Sequence, residues 1–265
     1  MILLLGLLAC QDADPGPRVY ALSYGRSARF PRQTMVADAD PAARGPGAWM
    51  VWLIRDEDRI VLVDTGGTND ELLTDWQVTG RRTAADALDE LGLGPEDVDA
   101  VILTHLHWDH AGGVRQFPRA QVYVQREALR WAREQVAGGQ SRAGVDPEDL
   151  VALAGLGSHL TLLRGDATIT PHVRVHREGG HTPGVQWVEI DAPGGPRAIA
   201  SDIAYSYENL ERRVPPGGSQ DPDADRRAIA HILAVTGTVD RVIPGHDPAV
   251  FQRLHLLSGG AAQLR

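Results

Sequence analysis

Three histidines and an aspartate fall within six positions in the stretch THLHWDH, residues 104–110. Imidazole nitrogens and carboxylate oxygens are the ligand set of hydrolytic zinc sites. The stretch follows directly on an apolar run, AVIL, at residues 100–103. His105 and His107 are two apart, so at the end of an extended strand their side chains point to one side. Asp109 and His110 come next, and AGG at 111–113 can turn the chain toward a helix. The four side chains can then face one cavity from two directions. A solvated polar loop would rarely set such ligands immediately behind a buried strand.

The surrounding pattern supplies the elements that must carry them. VDAVILT (98–104) reads as a near-continuous apolar strand buried on both faces. AWMVWLI (48–54) and IVLVD (60–64), separated by charged residues, read as a β-hairpin. VYALSY (19–24), AQVYVQ (120–125), LTLL, VRVH, VQWVEI and RAIAS are further strand-like runs, and DRVIPGHD (240–247) is a last short strand with its loop. RTAADALDELGLG (82–94) has helical spacing and ends on glycine, and REALRWAREQV (126–136) is a second helix. Residues 137–157 are Gly-rich with a short helical piece near DPEDLVALAG. DPDADRRAIAHILAV (221–235) is a helix whose acidic first turn suits the helix dipole. Residues 25–47 are polar and turn-rich, and read as a long loop, functional or disordered. Strands in both halves, interleaved with helices, point to two sheets packed between helices in one domain.

The chain has 265 residues, 43% of them hydrophobic, enough for one sizeable core. Its formal net charge is −9 with no basic stripe, which argues against a nucleic-acid partner. A single cysteine, Cys10, leaves no internal disulfide framework, so a buried metal must be held by His and carboxylate. The first ten residues, MILLLGLLAC, are too short to span a bilayer and lack a basic lead. LLAC resembles the lipobox of bacterial lipoproteins, although Leu8 is bulky for its slot. Residues 1–17 are accordingly read as an apolar N-terminal segment and tether, and 18–265 as a single hydrolase domain. An exported lipoprotein, tethered to a membrane through lipidated Cys10, and a cytoplasmic protein both remain open.

HLHWDH matches the H-x-H-x-D-H signature of the metallo-β-lactamase superfamily. The motifs around it follow that superfamily's order: VLVDTG with Asp64, GGHTPG with His181, IASD with Asp202 and VIPGHD with His246. The resemblance spans residues 60–247 and implies an α/β fold, the four-layer αβ/βα sandwich, with metals at one edge. It also implies a ligand set for two divalent metal ions, with zinc the expected metal. His105, His107 and His181 would hold one ion, Asp109, His110 and His246 the other, and Asp202 would bridge them. A hydroxide between the two ions would then be the nucleophile. Asp64 would stand behind the ligands and orient them, or else cap the turn before TGG. His159, His172, His176, His231 and His255 lie outside these motifs and read as surface or packed residues.

Departures from other branches narrow the reading. There is no core cysteine ligand, only 19 residues follow His246, and no nucleic-acid-processing insertion is evident. Tyr205, three residues after Asp202, resembles the Asp-x-x-Tyr of quorum-quenching N-acyl homoserine lactonases. In that family the phenol hydrogen-bonds the lactone carbonyl, and Tyr207 competes for the role here. The resemblance implies ring opening of an N-acyl homoserine lactone, with Tyr205 beside the carbonyl and Asp109 passing a proton to the leaving oxygen. The implied partners are a small-molecule lactone and, for assembly, a homodimer. Phe30, Met35, Trp108, Leu210 and Val214 are candidates to line an acyl groove. A related hydrolase acting on another lactone, ester or thioester is the alternative, and a non-catalytic binding protein on the same scaffold is a third reading.

Overall fold

The computed structural model describes residues 16–139, 144–257 and 261–264. The apolar N-terminal run and Cys10 lie outside them. No helix among the described residues is long and apolar enough to cross a membrane.

The first half of the chain forms β1 (Arg18–Pro31), α1 (Arg32–Met35), β2 (Arg44–Asp56), β3 (Arg59–Val63), α2 (Asp70–Asp75), α3 (Ala84–Leu88), β4 (Ala100–Ile102), α4 (Trp108–Ala111), β5 (Gln121–Gln125) and α5 (Arg126–Ala137). The second half forms α6 (Pro147–Gly155), β6 (Leu160–Leu163), β7 (Ala167–Thr170), β8 (Val173–Arg177), β9 (Gln186–Ile190), β10 (Arg197–Ser201), α7 (Tyr207–Arg212), α8 (Pro222–Thr236), β11 (Val242–Pro244), α9 (Val250–Arg253), β12 (His255–Leu256) and β13 (Ala262–Leu264). One sheet has eight strands in the order β12-β13-β1-β2-β3-β4-β5-β6, the other five in the order β11-β10-β9-β8-β7.

Strand periodicity explains how the layers stack. Along β2, Ala48, Met50, Trp52 and Ile54 pack with Val175, Trp187 and Ile199 of the smaller sheet. The alternate residues Trp49, Val51 and Leu53 pack on the opposite face with Leu88, Leu129 and Leu153 of the helical layer. Successive side chains of a strand point to opposite faces, so one strand feeds two cores. On the far side, Ala228, Ile229 and Ile232 of α8 pack into the same core as β10 and β11. The result is helix, sheet, sheet, helix, the four-layer αβ/βα sandwich that the motif order implies.

Local rules set the helix ends. Thr83 and Asp86 form a reciprocal capping box that starts α3. Asp221 caps α8 by accepting from Asp223 and Ala224, Pro222 occupies the first turn, and Gly237 ends the helix at φ 75°.

Two expectations need correction. Residues 25–47 are not one long loop: about half of them are strand, since β1 continues to Pro31 and β2 begins at Arg44, with α1 and a turn between. The polar composition misleads because one edge of this ribbon is exposed, while its other side chains, Phe30 among them, are buried. Register shifts between Ser23 and Gly25 and between Ser27 and Phe30 bend it over the site. The helix expected over 82–94 is shorter: α3 stops at Leu88, passes through a tighter turn and ends at Gly92 with φ 67°. On the outer side of β1, Val19–Ala21 pair with β13, and Arg26 exchanges two backbone hydrogen bonds with Thr79.

Candidate metal centre

β3 and β4 run parallel, so their C-terminal ends meet at one edge of the larger sheet. Asp64 follows β3 there with φ 61°, a left-handed backbone that Asp tolerates better than most residues. Its carboxylate accepts from the Thr104 backbone N–H at 2.7 Å and the Thr104 hydroxyl at 2.8 Å. It also lies 2.7 Å from His110 Nδ1. Asp64 thus locks the exit of β4 to α4, and it aims the other nitrogen of His110 into the site. His246 is aimed in the same way, by Nδ1 on the Ala48 carbonyl at 3.0 Å. His105 Nδ1 stands 3.1 Å from the Thr104 hydroxyl.

His181 comes from a different layer. Gly180, before it, has φ 123°, and a Cβ there would lie 2.1 Å from Asp225 Oδ1. Glycine is therefore required on both conformational and steric grounds. The close approach lets Asp225, fully buried on α8, accept the His181 backbone N–H at 2.9 Å. In the sequence this residue reads only as one more acid in a helix's first turn. Its burial pushes the carboxyl up to about 7, with the Asp202 charge adding to the effect.

The structure gathers all seven expected ligand residues at this edge. Ligand atoms of His105, His107, His181 and Asp202 lie within 4.8 Å of one another, and so do those of Asp109, His110 and His246. Asp202 faces both groups. Its Oδ2 is 3.3 Å from His181 Nε2 and 3.8 Å from His105 Nε2, while its Oδ1 is 3.3 Å from His110 Nε2 and 3.2 Å from His246 Nε2. Yet His105 Nε2, His110 Nε2, His181 Nδ1 and Asp202 Oδ1 are buried without a hydrogen-bond partner. Buried polar atoms in folded proteins are normally partnered. Two such nitrogens, His105 Nε2 and His110 Nε2, face Asp202, and with the other imidazoles and Asp109 they form a donor set that fits two divalent cations.

Electrostatics divide the two groups. Burial, helped by the neighbouring rings, holds His105 well below the ordinary imidazole range, and it lowers His107. Burial takes His181 down to about 3. These rings are neutral and can offer lone pairs. Burial also opposes charge on His110, but Asp202, Asp109 and Asp64 together raise it well above its usual value. Burial alone would raise the Asp202 carboxyl, but His110 and His246 hold it well below the usual carboxylate range.

A cavity of about 270 Å³ opens over these groups. Tyr205 lines it, with ring centroids 4.8 Å from His246 and 5.6 Å from His181. Burial, then the Asp202 and Asp109 charges, raises its phenol well above the ordinary value, so it keeps its proton. Tyr207 does not compete: it packs beneath the Arg253 guanidinium, 3.9 Å from the ring centroid. Phe30 and Trp108 line the cavity as expected, but Met35 and Leu210 are each 1% exposed and belong to the cores. Val214 is partly buried against the core. Sequence reasoning missed Tyr24, whose hydroxyl donates to the Asp109 carbonyl at 2.8 Å, and the cavity residues Trp49, Trp76 and Trp131. Helical spacing could have flagged Trp131, since it falls on the buried side of α5 with Ala128 and Ala132. Among the other histidines, His172 sits on Asp56, His176 between Asp166 and Glu189, and His231 on Glu178.

Fold and ligand geometry together define a metallohydrolase scaffold. The family model described as the Metallo-beta-lactamase superfamily matches residues 44–246, and the chain belongs to that superfamily. Within it, an N-acyl homoserine lactonase of Bacillus thuringiensis is 30% identical over 216 residues, 74% of this chain and 81% of the relative. An N-acyl homoserine lactonase of Bacillus sp. is 32% identical over 184 residues, 63% of this chain and 69% of the relative. N-acyl homoserine lactonase AttM of Rhizobium radiobacter is 29% identical over 181 residues, 65% of this chain and 67% of the relative. Among solved structures, a probable metal-dependent hydrolase from Staphylococcus aureus superposes with a TM-score of 0.76 at 18% identity, covering 89% of this chain and 91% of the other. An N-acyl homoserine lactone hydrolase with N-hexanoyl-L-homoserine bound at its catalytic metal center gives 0.72 at 22% identity, covering 89% and 95%. These structural likenesses establish the fold.

Proposed function

We propose that this protein is a dinuclear zinc hydrolase that opens the ring of N-acyl homoserine lactones. His105, His107 and His181 would hold one ion, Asp109, His110 and His246 would hold the other, and Asp202 would be shared between them. When bound, two such ions polarise a carbonyl oxygen and make water nucleophilic near neutral pH. The observation that carries this reading is Asp202, whose two oxygens face separate groups of buried imidazoles. The names of the relatives supply the substrate.

The remaining tasks fall to side chains of this chain. The Tyr205 phenol, kept protonated, donates to the lactone carbonyl oxygen as negative charge builds there. Asp109, 8% exposed and lining the cavity, takes up a proton on its carboxylate and delivers it to the departing ring oxygen. The aromatic cavity wall keeps bulk water from both.

The test is a ring-opening assay of zinc-loaded protein on homoserine lactones of several chain lengths, with an aryl ester and a thioester as controls. Lactones should be cleaved preferentially. Preference for the thioester or simple ester would overturn the substrate assignment. Asp202→Asn is expected to lose ring opening and to lower zinc content as read by elemental analysis. Tyr205→Phe should keep both ions and slow turnover by about 2–4 kcal/mol at most, the scale of one lost oxyanion donor. Metal loss in that variant would make the tyrosine structural.

A further inference from the structure

The apolar lining of the cavity is aromatic almost throughout. Phe30, Trp49 and Trp76 form one continuous wall, with ring centroids 5.7 Å apart for Phe30–Trp49, 5.2 Å for Phe30–Trp76 and 5.8 Å for Trp49–Trp76. Trp108 extends the wall at 5.4 Å from Trp49. It abuts the second ligand group, since His246 lies 5.6 Å from Phe30 and 5.2 Å from Trp49. Trp131 flanks the first group, 5.8 Å from His107. Among the described lining residues, Val145 is the sole aliphatic one. The rings of the wall are inclined to one another by 41° to 74°, so a guest would meet both faces and edges.

This lining discriminates between two kinds of acyl group. An unbranched alkyl chain gains from the area it buries, but it must freeze a rotor at each carbon and finds no ring to pair with. A flat ring loses little freedom and gains the edge-to-face and offset contacts that aromatic pairs favour.

We infer that the acyl group this cavity selects carries an aromatic ring, making the substrate class arylacyl lactones, and that Trp76 is the specificity-determining residue. The inference rests on the proposed lactone opening for its chemistry. Trp76 is the apt point of control. It is half-buried at the end of α2, its backbone carbonyl is tied to the Ser27 hydroxyl at 3.0 Å, and its ring packs against Phe30 and Trp49 rather than a ligand histidine. Replacing it changes the wall without touching the metal ligands.

Two measurements on metal-loaded protein test this. The first is kcat/KM for phenylacetyl-homoserine lactone against hexanoyl- and decanoyl-homoserine lactone. The second is equilibrium binding of the corresponding ring-opened acids, followed by indole fluorescence, which needs no turnover. The aryl compound is expected to lead by about tenfold in both, the scale of one or two aromatic pairs. Trp76→Leu should shrink that lead about fivefold with metal content unchanged. An alkyl preference in the wild type, or an undiminished aryl lead in Trp76→Leu, overturns the inference. If no lactone is cleaved but the aryl acid binds more tightly, the lactonase reading falls and the aryl selectivity stands. If lactones are cleaved and the order of binding is reversed, the inference alone falls.

Discussion

Asp56 and Asp64 sit at opposite ends of one hairpin, Asp56 at the end of β2 and Asp64 just past β3. Both are buried, at 1% and 0% exposure, and both hold a histidine, His172 at 2.8 Å and His110 at 2.7 Å. The pairs look alike and do different work. Asp64 also takes the Thr104 backbone and hydroxyl, and the second nitrogen of its histidine faces two more carboxylates, Asp109 and Asp202, at 3.3 Å. Asp56 also takes the Thr170 hydroxyl and the His172 backbone N–H, while its histidine remains 31% exposed. One pair organises a site; the other staples the β7–β8 turn to the larger sheet. An Asp–His contact is therefore not a functional signature by itself. What the free ring nitrogen meets decides its use.

Substitutions can break or sharpen this contrast. Asp64→Ala would strand the Thr104 donors and the His110 ring in a fully buried place. It should cost about 3–5 kcal/mol of stability, the scale for removing one partner of a buried pair. Because such supporting groups also tune metal affinity, zinc binding should fall about 10–100-fold or more. Denaturant unfolding and metal titration check both, and a stable, metal-replete Asp64→Ala protein would break the contrast. Asp56→Ala should cost less, about 1–3 kcal/mol for its unsatisfied donors, with zinc content and ring opening unchanged. Loss of metal there would show that the two ends of the hairpin are coupled.

The smallest effect concerns pH. The hydrogen bond to Asp56 raises the His172 pKa above its ordinary value. A raised folded pKa means that protonated His172 stabilises the fold fully below the unfolded value of about 6.5, and that this contribution fades as pH climbs through the folded value. The melting-temperature gap between wild type and His172→Ala should thus be widest in mild acid and close as pH rises past neutral. A gap that widens with pH would reverse the assignment.

Much of the site is legible in the sequence. The ligand residues announce themselves because metal chemistry demands particular side chains at tight spacing behind a buried strand. β4, α5 and α8 follow from apolar runs and caps. Other features depend on contacts distant in sequence. Asp225 looks like a helix-dipole acid until Gly180 lets the His181 backbone approach it. Tyr24 looks like any strand aromatic until its hydroxyl meets the Asp109 carbonyl, 85 residues away. The ribbon over 25–47 was obscured because its polar side chains alternate with buried ones and its bulges break the regular period.

The outer side of β1 carries a consequence for assembly. A long strand with a bare edge invites another chain to add to it, in productive recognition or in aggregation. Here β13 occupies that edge at Val19–Ala21, Arg82 engages the carbonyls of Ser23 and Tyr24, and Thr79 closes it at Arg26. Two separate segments, β13 and residues 79–82, act as a selvedge, finishing the cloth so that it does not knit onto a neighbour. A homodimer of this protein would accordingly not form by adding a strand along β1, since the sheet cannot be continued there without first displacing one of its own segments.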